Sequence, residues 1–350
     1  MKMRLTLILF FSFTTVVSVS SQENLPYWNQ MAPPDTTGIW IQPSRERLAM
    51  PVWGHVNGIQ VGLAPLPGPR GLLRIYTPYL GLERAEVMNF IALEPIPKGN
   101  ENRGLSELEM SSIDKGKRGK RFWSSNESTA VIPLNEDFPA RGLVENINGE
   151  ETLTLYIFSE PFDNGARVYV RLRFFESRPY EFSITTYTYE GSVDLDYFIT
   201  TATMGNKARL RTLYLKDGQK SALEIWPEYE DIHFTPHQHF TQKEMIKDKN
   251  GRAYFMSKPK EKDYSKAVYA PGTSGHWQYH GKAATQYWIK EKPNKNLKGL
   301  VNGRFAYWAS DDPIPGGIAF ENFEMKEPFQ NGATFFFGIS QEKLDEIIGK

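Results

Sequence analysis

The sequence predicts an all-β fold, a large antiparallel β-sandwich with few short helices. Apolar and polar residues alternate over residues 168–174 and again over 182–188, which is typical of strands with one buried face. Asn164-Gly165 lies just before the first of these segments, and Asn-Gly between apolar runs favours a hairpin because both residues tolerate positive φ. We therefore expect neighbouring antiparallel strands joined by a turn between residues 158 and 167.

Helical patterns are short. Capping-box spacing occurs at residues 106–109 and 241–244, and residues 341–348 can form a terminal helix. The Pro- and Gly-rich segments between elements read as connections, and the charged run 115–121 predicts an exposed basic loop. Because no linker divides the chain, we expect residues 22–350 to form one β-sandwich domain.

The first 21 residues have the pattern of a signal peptide. Lys2 and Arg4 precede an apolar run over residues 5–13, and small residues close the segment at 19–21. The apolar run is shorter than the roughly 20 residues that span a bilayer, so we expect cleavage after Ser21 rather than stable membrane insertion. A periplasmic or secreted protein is predicted.

A seven-residue segment occurs twice. Residues 160–166 (EPFDNGA) return as residues 327–333 (EPFQNGA), and a strand-like segment follows both copies. The interpretation is that one hairpin is used twice, in two halves of a large sandwich. Coincidence is the alternative.

Composition excludes several functions. Lys+Arg and Asp+Glu balance at 41 each, so no basic field draws the chain to nucleic acid. The absence of cysteine excludes disulfides, thiolate zinc sites and a cysteine nucleophile. GxGxxG, P-loop, GxSxG and HExxH motifs are absent, which argues against nucleotide use and serine hydrolase chemistry. No cofactor is expected, and the oligomeric state is left open.

Histidines are concentrated between residues 233 and 280. As a strand, residues 272–280 would present His276, Gln278 and His280 on one face, with Trp277 and Tyr279 on the other. We predict His276 or His280 as a catalytic proton acceptor, and Tyr279 as an acid if a bulge re-aims it. The alternative is ordinary aromatic strand residues.

Other groupings suggest ligand binding. Arg209 and Arg211 would share a strand face and, with Asn206, bind a carboxylate; a solvated sheet edge is the alternative, and Arg171 with Arg173 is the next pair to consider. His55 and Asn57 would project together from a strand, and Trp277 offers a ring to a sugar.

His237 and His239 have the spacing of metal ligands, but no carboxylate motif accompanies them, so no metal is predicted. Glu321 and Glu324 are the acids that a glycoside hydrolase would use, since hydrolysis normally requires two carboxylates; the alternative is that Glu321 is a buried structural residue.

An acidic oligosaccharide is the predicted substrate. Eight Trp and 17 Tyr offer rings that stack on sugars, and arginines hold an acid group. Elimination at a uronate requires neutralisation of its carboxylate, a base for the α proton and an acid for the leaving oxygen.

The whole mature chain, with its β pattern and the segments 55–60 (HVNGIQ) and 320–324 (FENFE), resembles secreted bacterial proteins of polysaccharide degradation, above all the oligosaccharide dehydratases of marine ulvan breakdown. The resemblance implies a many-stranded sandwich like those of uronate lyases and sugar mutarotases. It also implies a carbon–oxygen lyase that removes water from a terminal glucuronate, or cleaves the chain. It supplies no catalytic residues. The alternatives are a non-catalytic glycan-binding protein and a glycoside hydrolase.

Overall fold

A computed structural model describes residues 31–63, 70–82, 86–129, 138–260 and 266–349. The predicted signal peptide lies outside these residues. Within them, no helix has the length and apolar character that a membrane crossing requires.

The described strands form two sheets in which every strand pairing is antiparallel, which confirms the predicted all-β sandwich. In spatial order, the first sheet contains β1 (Asp35–Thr37), β2 (Trp40–Gln42), β3 (Val52–His55), β4 (Gln60–Gly62), β5 (Leu72–Tyr76), β6 (Val87–Pro97), β12 (Leu195–Thr203), β20 (Ala319–Lys326), β19 (Lys298–Arg304) and β15 (Gln238–Thr241).

The second sheet has a main path of nine strands, with two more attached to it. In spatial order the path is β14 (Gly218–Ser221), β13 (Leu210–Leu215), β17 (Ala253–Pro259), β18 (Thr285–Lys290), β21 (Ala333–Ser340), β11 (Glu181–Thr188), β10 (Val168–Phe175), β9 (Glu150–Ser159) and β7 (Phe122–Ser125). Strand β16 (Ile246–Lys247) pairs with β17, and β8 (Leu143–Ile147) pairs with β9.

Helices are few and short in the described part, as predicted. The α-helices are α1 (Ala222–Ile225) and α2 (Leu344–Ile348), and two 3-10 helices cover Pro78–Leu80 and Gly275–Trp277. Ser221 begins α1 with a capping box, because its hydroxyl accepts from the Glu224 N–H and the Glu224 carboxylate accepts from the Ser221 N–H.

The core lies between the two sheets. The first sheet contributes residues such as Leu93 and Phe323, and the second contributes residues such as Val170, Leu172 and Trp288, all within one buried cluster. Strand β10 alternates as predicted, since Val168, Val170, Leu172 and Phe174 are buried in the core and Arg171 and Arg173 face outward. Strands β10 and β11 pair in the expected antiparallel register.

The repeated segment has two different structural roles. Residues 160–166 form the predicted hairpin between β9 and β10. Residues 327–333 instead connect β20 in the first sheet to β21 in the second. Gly165 and Gly332 share a left-handed φ, at 86° and 87°, so the local turn is alike. The interpretation of one hairpin used twice is therefore wrong, because the second copy crosses between layers.

A β-bulge in β20 turns extra side chains to the outer face. Val301 pairs with Phe323 and Gly303 pairs with Phe320, so β20 has one residue more than β19 in this interval. The N–H of Asn322, inside the bulge, donates to Asn302 Oδ1 at 3.0 Å. Phe320 and Phe323 both reach the core although they are three residues apart. Glu321 and Glu324 are consequently brought to the same, outer face of the first sheet.

The connection between β6 and β7 folds back against its own sheet. Ser106 Oγ donates to Gly71 O at 2.5 Å and accepts from the Leu93 N–H at 2.9 Å. The predicted exposed loop at 115–121 is only partly exposed, since Lys120 is buried. Lys120 Nζ lies 3.1 Å from Glu109 and 2.7 Å from Asp163, and it donates to Met110 O. These ion pairs compensate the burial of a charged residue.

Candidate functional site

A row of polar side chains crosses the outer face of the first sheet. Strand pairing aligns Thr201 of β12 with Glu324 of β20, and Glu324 with Leu300 of β19, which pairs with His239 of β15. Thr201 also pairs with Ala92 of β6, so Glu94, two residues further along, faces the same way. Residues from five strands therefore meet on one surface.

Arg103 joins two carboxylates of this row. Its Nη2 donates to both oxygens of Glu324, at 3.0 and 2.9 Å, and its Nε donates to Glu94. The Glu324 side chain is fully buried and that of Glu94 is nearly so, whereas the Arg103 side chain is 23% exposed. One guanidinium at the edge of solvent thus holds two buried acids.

The pKa values of Glu94 and Glu324 are shifted in opposite directions. Burial raises the pKa of Glu94 to about 8, aided by the nearby Glu324 charge and opposed by Arg103. Burial also acts to raise the pKa of Glu324, but Arg103 and His237 hold it below its usual value. Near neutral pH the pair therefore keeps one proton, mainly on Glu94.

His237 stands beside Glu324 at the start of β15. Its Nε2 lies 3.9 Å from Glu324 Oε1 and has no hydrogen-bond partner among the described residues. Burial lowers the pKa of His237, partly opposed by Glu324, and 27% of the side chain is exposed. The imidazole is therefore neutral near pH 7, as a general base must be; its Nε2 is buried beside Glu324, so a ligand would approach the exposed part of the ring.

Cations line one end of the row. Lys298 and Lys326 occupy directly opposed positions on β19 and β20, and the Lys326 ammonium sits 4.0 Å from the centre of the Tyr197 ring. Burial and the nearby Arg103 lower the pKa of Lys326. Like charges facing each other across strands are unfavourable, so an anion bound between them would be stabilising.

Glu321 extends the row along β20. It is fully buried, and neither carboxyl oxygen has a hydrogen-bond partner in the described part of the chain. Burial raises its pKa to about 8, with Arg304 opposing the rise and Glu107 adding to it. Burial also raises the pKa of Glu107 to about 7. Glu321 is thus a carboxylic acid, and a proton donor, near neutral pH.

An aromatic wall borders Glu321. Trp277 stacks on Tyr307, with ring centres 5.1 Å apart and planes 15° apart. Both pack with Ala319, which lies two residues before Glu321, and with the partly buried Trp308. Trp277 and Tyr307 are 7% and 0% exposed, so they pack on each other and leave the partly exposed Trp308 as the ring that a ligand could contact.

The segment at 272–280 does not form the predicted strand. Residues Gly275–Trp277 form a 3-10 helix, because Gln278 N–H donates back to Gly275 O. The expected alternation of faces is therefore wrong. The side chain of His276 lies outside the described part, His280 is exposed, and Trp277 belongs to the aromatic wall.

Tyr279 is a core residue in the structure. It is 1% exposed, and its hydroxyl donates to Lys282 O at 2.9 Å. Burial raises the pKa of Tyr279 well above its usual value. Its catalytic role, like those of His276 and His280, stays a prediction, but the local structure gives it no support.

The predicted arginine pair is not on a strand face. Arg209 adopts a left-handed φ of 52° in the turn before β13, while Arg211 lies within β13, and both are buried rather than at a solvated edge. Arg211 donates to the carbonyls of Ile318, Pro315 and Gly317. These hydrogen bonds hold residues 315–318, just before β20, in place.

Asn206 lies in the same turn, where it is fully buried and its amide has no hydrogen-bond partner among the described residues. The turn borders the site, since the Gly205 N–H points to Glu321 O at 3.4 Å. Of the predicted substrate-binding residues, Asn206 and Trp277 are thus those that the structure brings near Glu321.

His55 and Asn57 lie elsewhere. The Asn57 N–H donates to His55 Nδ1 at 3.1 Å at the turn between β3 and β4, and strands β4 and β5 separate β3 from β6. Burial lowers the pKa of His55, and its ring contacts Trp40 edge-on. Their predicted binding role would need a ligand far from Glu94 and Glu324.

Sequence reasoning missed the grouping of Glu94, Arg103, His237 and Glu324. The prediction that no acid accompanies His237 is wrong, since the fold brings Glu324 beside it. The described residues contain no group of three or more His, Cys, Asp or Glu arranged to hold a metal ion. The segment 320–324 was the available signal, but its spacing alone places its two acids on opposite faces.

Comparison with protein-family models and with curated proteins gave no match. Among solved structures, HI1317 shares 11% identity over 87% of this chain and 97% of its own, with a TM-score of 0.21. The proposed mutarotase YeaD of Salmonella typhimurium shares 9% identity over 88% of this chain and 96% of its own, with a TM-score of 0.24. Likenesses this weak carry no argument about function.

Proposed function

We propose that the protein catalyses β-elimination at a uronic acid of an acidic oligosaccharide, with removal of water from a terminal glucuronate as the preferred reaction and chain cleavage as its variant. The observation that carries the proposal is His237, a neutral and partly exposed imidazole placed beside the buried Glu324–Arg103 pair. The resemblance to ulvan oligosaccharide dehydratases gives the same reaction class.

The base in this proposal is His237. It removes the proton from C5, α to the uronate carboxylate, and the resulting imidazolium is stabilised by Glu324, whose pKa is held low. Glu324 in turn is held in place by Arg103. This arrangement of an imidazole and a carboxylate lets the base gain a proton without leaving an isolated charge.

The cations on the exposed side of the row would neutralise the carboxylate of the substrate. Arg103 and Lys326 are partly exposed cations whose charges act on His237, and in this proposal they bind the substrate carboxylate. Such neutralisation is required because the enolate-like transition state adds negative charge to an anion.

Glu321 is the proposed acid; because its carboxyl is fully buried, the substrate must displace the groups that cover it before the proton can be transferred. Its proton goes to the leaving oxygen at C4 while the C5–H and C4–O bonds break and the C4=C5 bond forms. The proton taken by His237 later restores Glu321, so elimination of water is balanced. Trp308, the partly exposed ring of the aromatic wall, would stack on the neighbouring sugar.

Incubation with ulvan oligosaccharides tests the proposal, because either elimination creates a conjugated uronate that absorbs ultraviolet light. Mass spectrometry separates loss of one water from chain shortening. We expect His237→Gln to lower turnover by about 10² to 10⁴-fold, as removal of a general base does. The exposed His233→Gln serves as control. Absence of both products across uronate oligosaccharides, or full activity of His237→Gln, would overturn the proposal.

Glycoside hydrolysis is the second candidate, favoured by one observation. The bulge in β20 turns Glu321 and Glu324 to one face, where the pKa of Glu321 is raised and that of Glu324 is lowered. An acid and a carboxylate placed together are the groups that hydrolysis uses. Release of reducing ends without ultraviolet absorbance would indicate this reaction.

A further inference from the structure

The outer face of the second sheet has its own cluster of rings and cations. Strand pairing aligns Tyr156 of β9 with Arg171 of β10, and Tyr169 of β10 with Tyr187 of β11. Tyr169 and Tyr187 stack with ring centres 4.9 Å apart and planes 10° apart. We call Tyr156, Tyr169, Tyr187, Arg171 and Arg173 the tyrosine–arginine face.

Threonine hydroxyls hold both guanidinium groups in place. Arg171 Nη2 donates to Thr185 Oγ1 at 3.2 Å, and Arg173 Nε donates to Thr154 Oγ1 at 2.9 Å. Arg171 also lies 5.9 Å from the centre of the Tyr187 ring. Each arginine therefore has a defined position on the sheet while most of its N–H groups are left for another acceptor.

In the described part of the chain, no carboxylate lies within ion-pair distance of Arg171 or Arg173. Glu145 on β8 acts on Arg173 only as a more distant charge. The two guanidinium groups are two residues apart on one strand face and repel each other. A bound anion would relieve this repulsion, so the positive charge on this face favours a negatively charged ligand.

The face is separate from the candidate active site. The row containing Glu324 lies on the outer side of the first sheet, whereas the tyrosine–arginine face lies on the outer side of the second, with the core between them. Tyr156, Tyr187, Arg171 and Arg173 are partly exposed. A ligand on this face cannot be the same sugar that contacts His237.

We propose that the tyrosine–arginine face is a secondary binding site for a linear anionic polysaccharide, with rings that stack on sugar faces and arginines that bind carboxylate or sulfate groups. The two anionic groups share the same acceptor chemistry. Binding here would keep a long chain on the protein while its reactive end is free. The inference does not depend on the reaction at the first sheet.

Affinity electrophoresis and calorimetry with three polymers test the proposal. We expect polygalacturonate, dextran sulfate or both to bind the full chain, with affinity falling as salt rises, and uncharged dextran not to bind. The relative affinities for the first two distinguish carboxylate from sulfate. The double variant Arg171→Gln with Arg173→Gln should weaken binding at least tenfold.

Three further measurements make the result decisive. Arg45→Gln, which removes an exposed arginine elsewhere, should bind as the wild type does. Tyr187→Leu should weaken binding by loss of stacking, and it remains informative if the double variant fails to fold. Turnover of a short oligosaccharide should be unchanged in all variants, so failure here is distinct from failure of the proposed reaction. Unchanged polymer affinity in the folded double variant, or equal binding of uncharged dextran, would overturn the proposal.

Discussion

Glu321 combines complete burial with two carboxyl oxygens that have no hydrogen-bond partner among the described residues. Such a group resists ionisation, because the charged form would lose hydration without gaining a compensating bond. In the unfolded chain the carboxyl ionises at an ordinary pKa, near 4.5, and in the folded chain only at about 8. Because these two pKa values differ, the free energy of unfolding depends on pH.

The sign of that linkage gives a first prediction. The folded state binds the proton more tightly, so the contribution of Glu321 to stability is complete below about pH 4.5, declines as pH rises, and is lost once pH passes the folded pKa of about 8. Urea titrations of wild type and Glu321→Gln should therefore show a shallower decline for the variant across this window. The exposed Glu190→Gln should retain the wild-type slope, and parallel slopes for wild type and Glu321→Gln would contradict the assignment.

His237 gives a second prediction, on the pH dependence of turnover. Burial lowers its pKa below the usual 6.5, so the neutral form persists into mildly acidic solution. Because only neutral imidazole accepts a proton, we expect the acidic limb of kcat/KM to lie below pH 6.5. Glu324→Gln removes the carboxylate that supports the imidazolium, so this variant should reduce turnover and also move the limb to lower pH. A limb above pH 7 in the wild type would exclude His237 as the base.

At the scale of elements, the bulge in β20 decides which acids share a face. Its extra residue is accommodated by one side-chain hydrogen bond, from the Asn322 N–H to Asn302 Oδ1. Asn302 is itself buried, so loss of its amide would leave a backbone donor with little access to water.

We therefore predict that Asn302→Ala lowers the free energy of unfolding by about 1–3 kcal/mol, the usual cost of an unsatisfied buried donor. Turnover should fall as well, because the bulge orients Glu321. Chemical denaturation together with initial rates measures both effects. Asn296→Ala, at an exposed position, should change neither; unaltered stability in Asn302→Ala would mean that the bulge does not depend on this bond.

This element also explains why the sequence predicts the sandwich better than the site. Alternate residues of β10 and β11 lie in the core between the sheets, so the core-facing sides of these strands could be read from residue order. The same rule applied to β20 separates Glu321 from Glu324, because alternation has no means to anticipate an inserted residue. The row also depends on Glu94, Arg103 and His237, which approach Glu324 only through pairing of strands distant in sequence.

At the scale of the whole molecule, Lys120 connects the two layers. It lies on the connection that follows β6 of the first sheet, and it pairs with Glu109 and with Asp163 of the hairpin between β9 and β10 of the second. Its side chain is fully buried. Removal of one partner from a buried ionic network leaves the remaining charges uncompensated.

We predict that Lys120→Met destabilises the protein by about 1–3 kcal/mol, less than a fully buried ion pair would, because the Asp163 partner is 69% exposed. Lys115→Met, in the same basic segment but exposed, is the matched control and should be within about 0.5 kcal/mol of the wild type, as surface changes usually are. Thermal and urea unfolding of both variants give the comparison. Equal stability of the two would show that the network around Lys120 contributes little.

The position of β20 in the sheet decides when, during folding, the candidate site is assembled. It lies between β12 and β19, so the first sheet stays in two pieces until residues 319–326 have paired with both neighbours. The pairing of β20 with β12, which lies far away in sequence, is slow to form, because closing a long loop costs entropy before contacts repay it. A nascent or partly folded chain therefore lacks both Glu321 and Glu324 at the candidate site. Under the proposed function, activity would begin only when the sheet is complete.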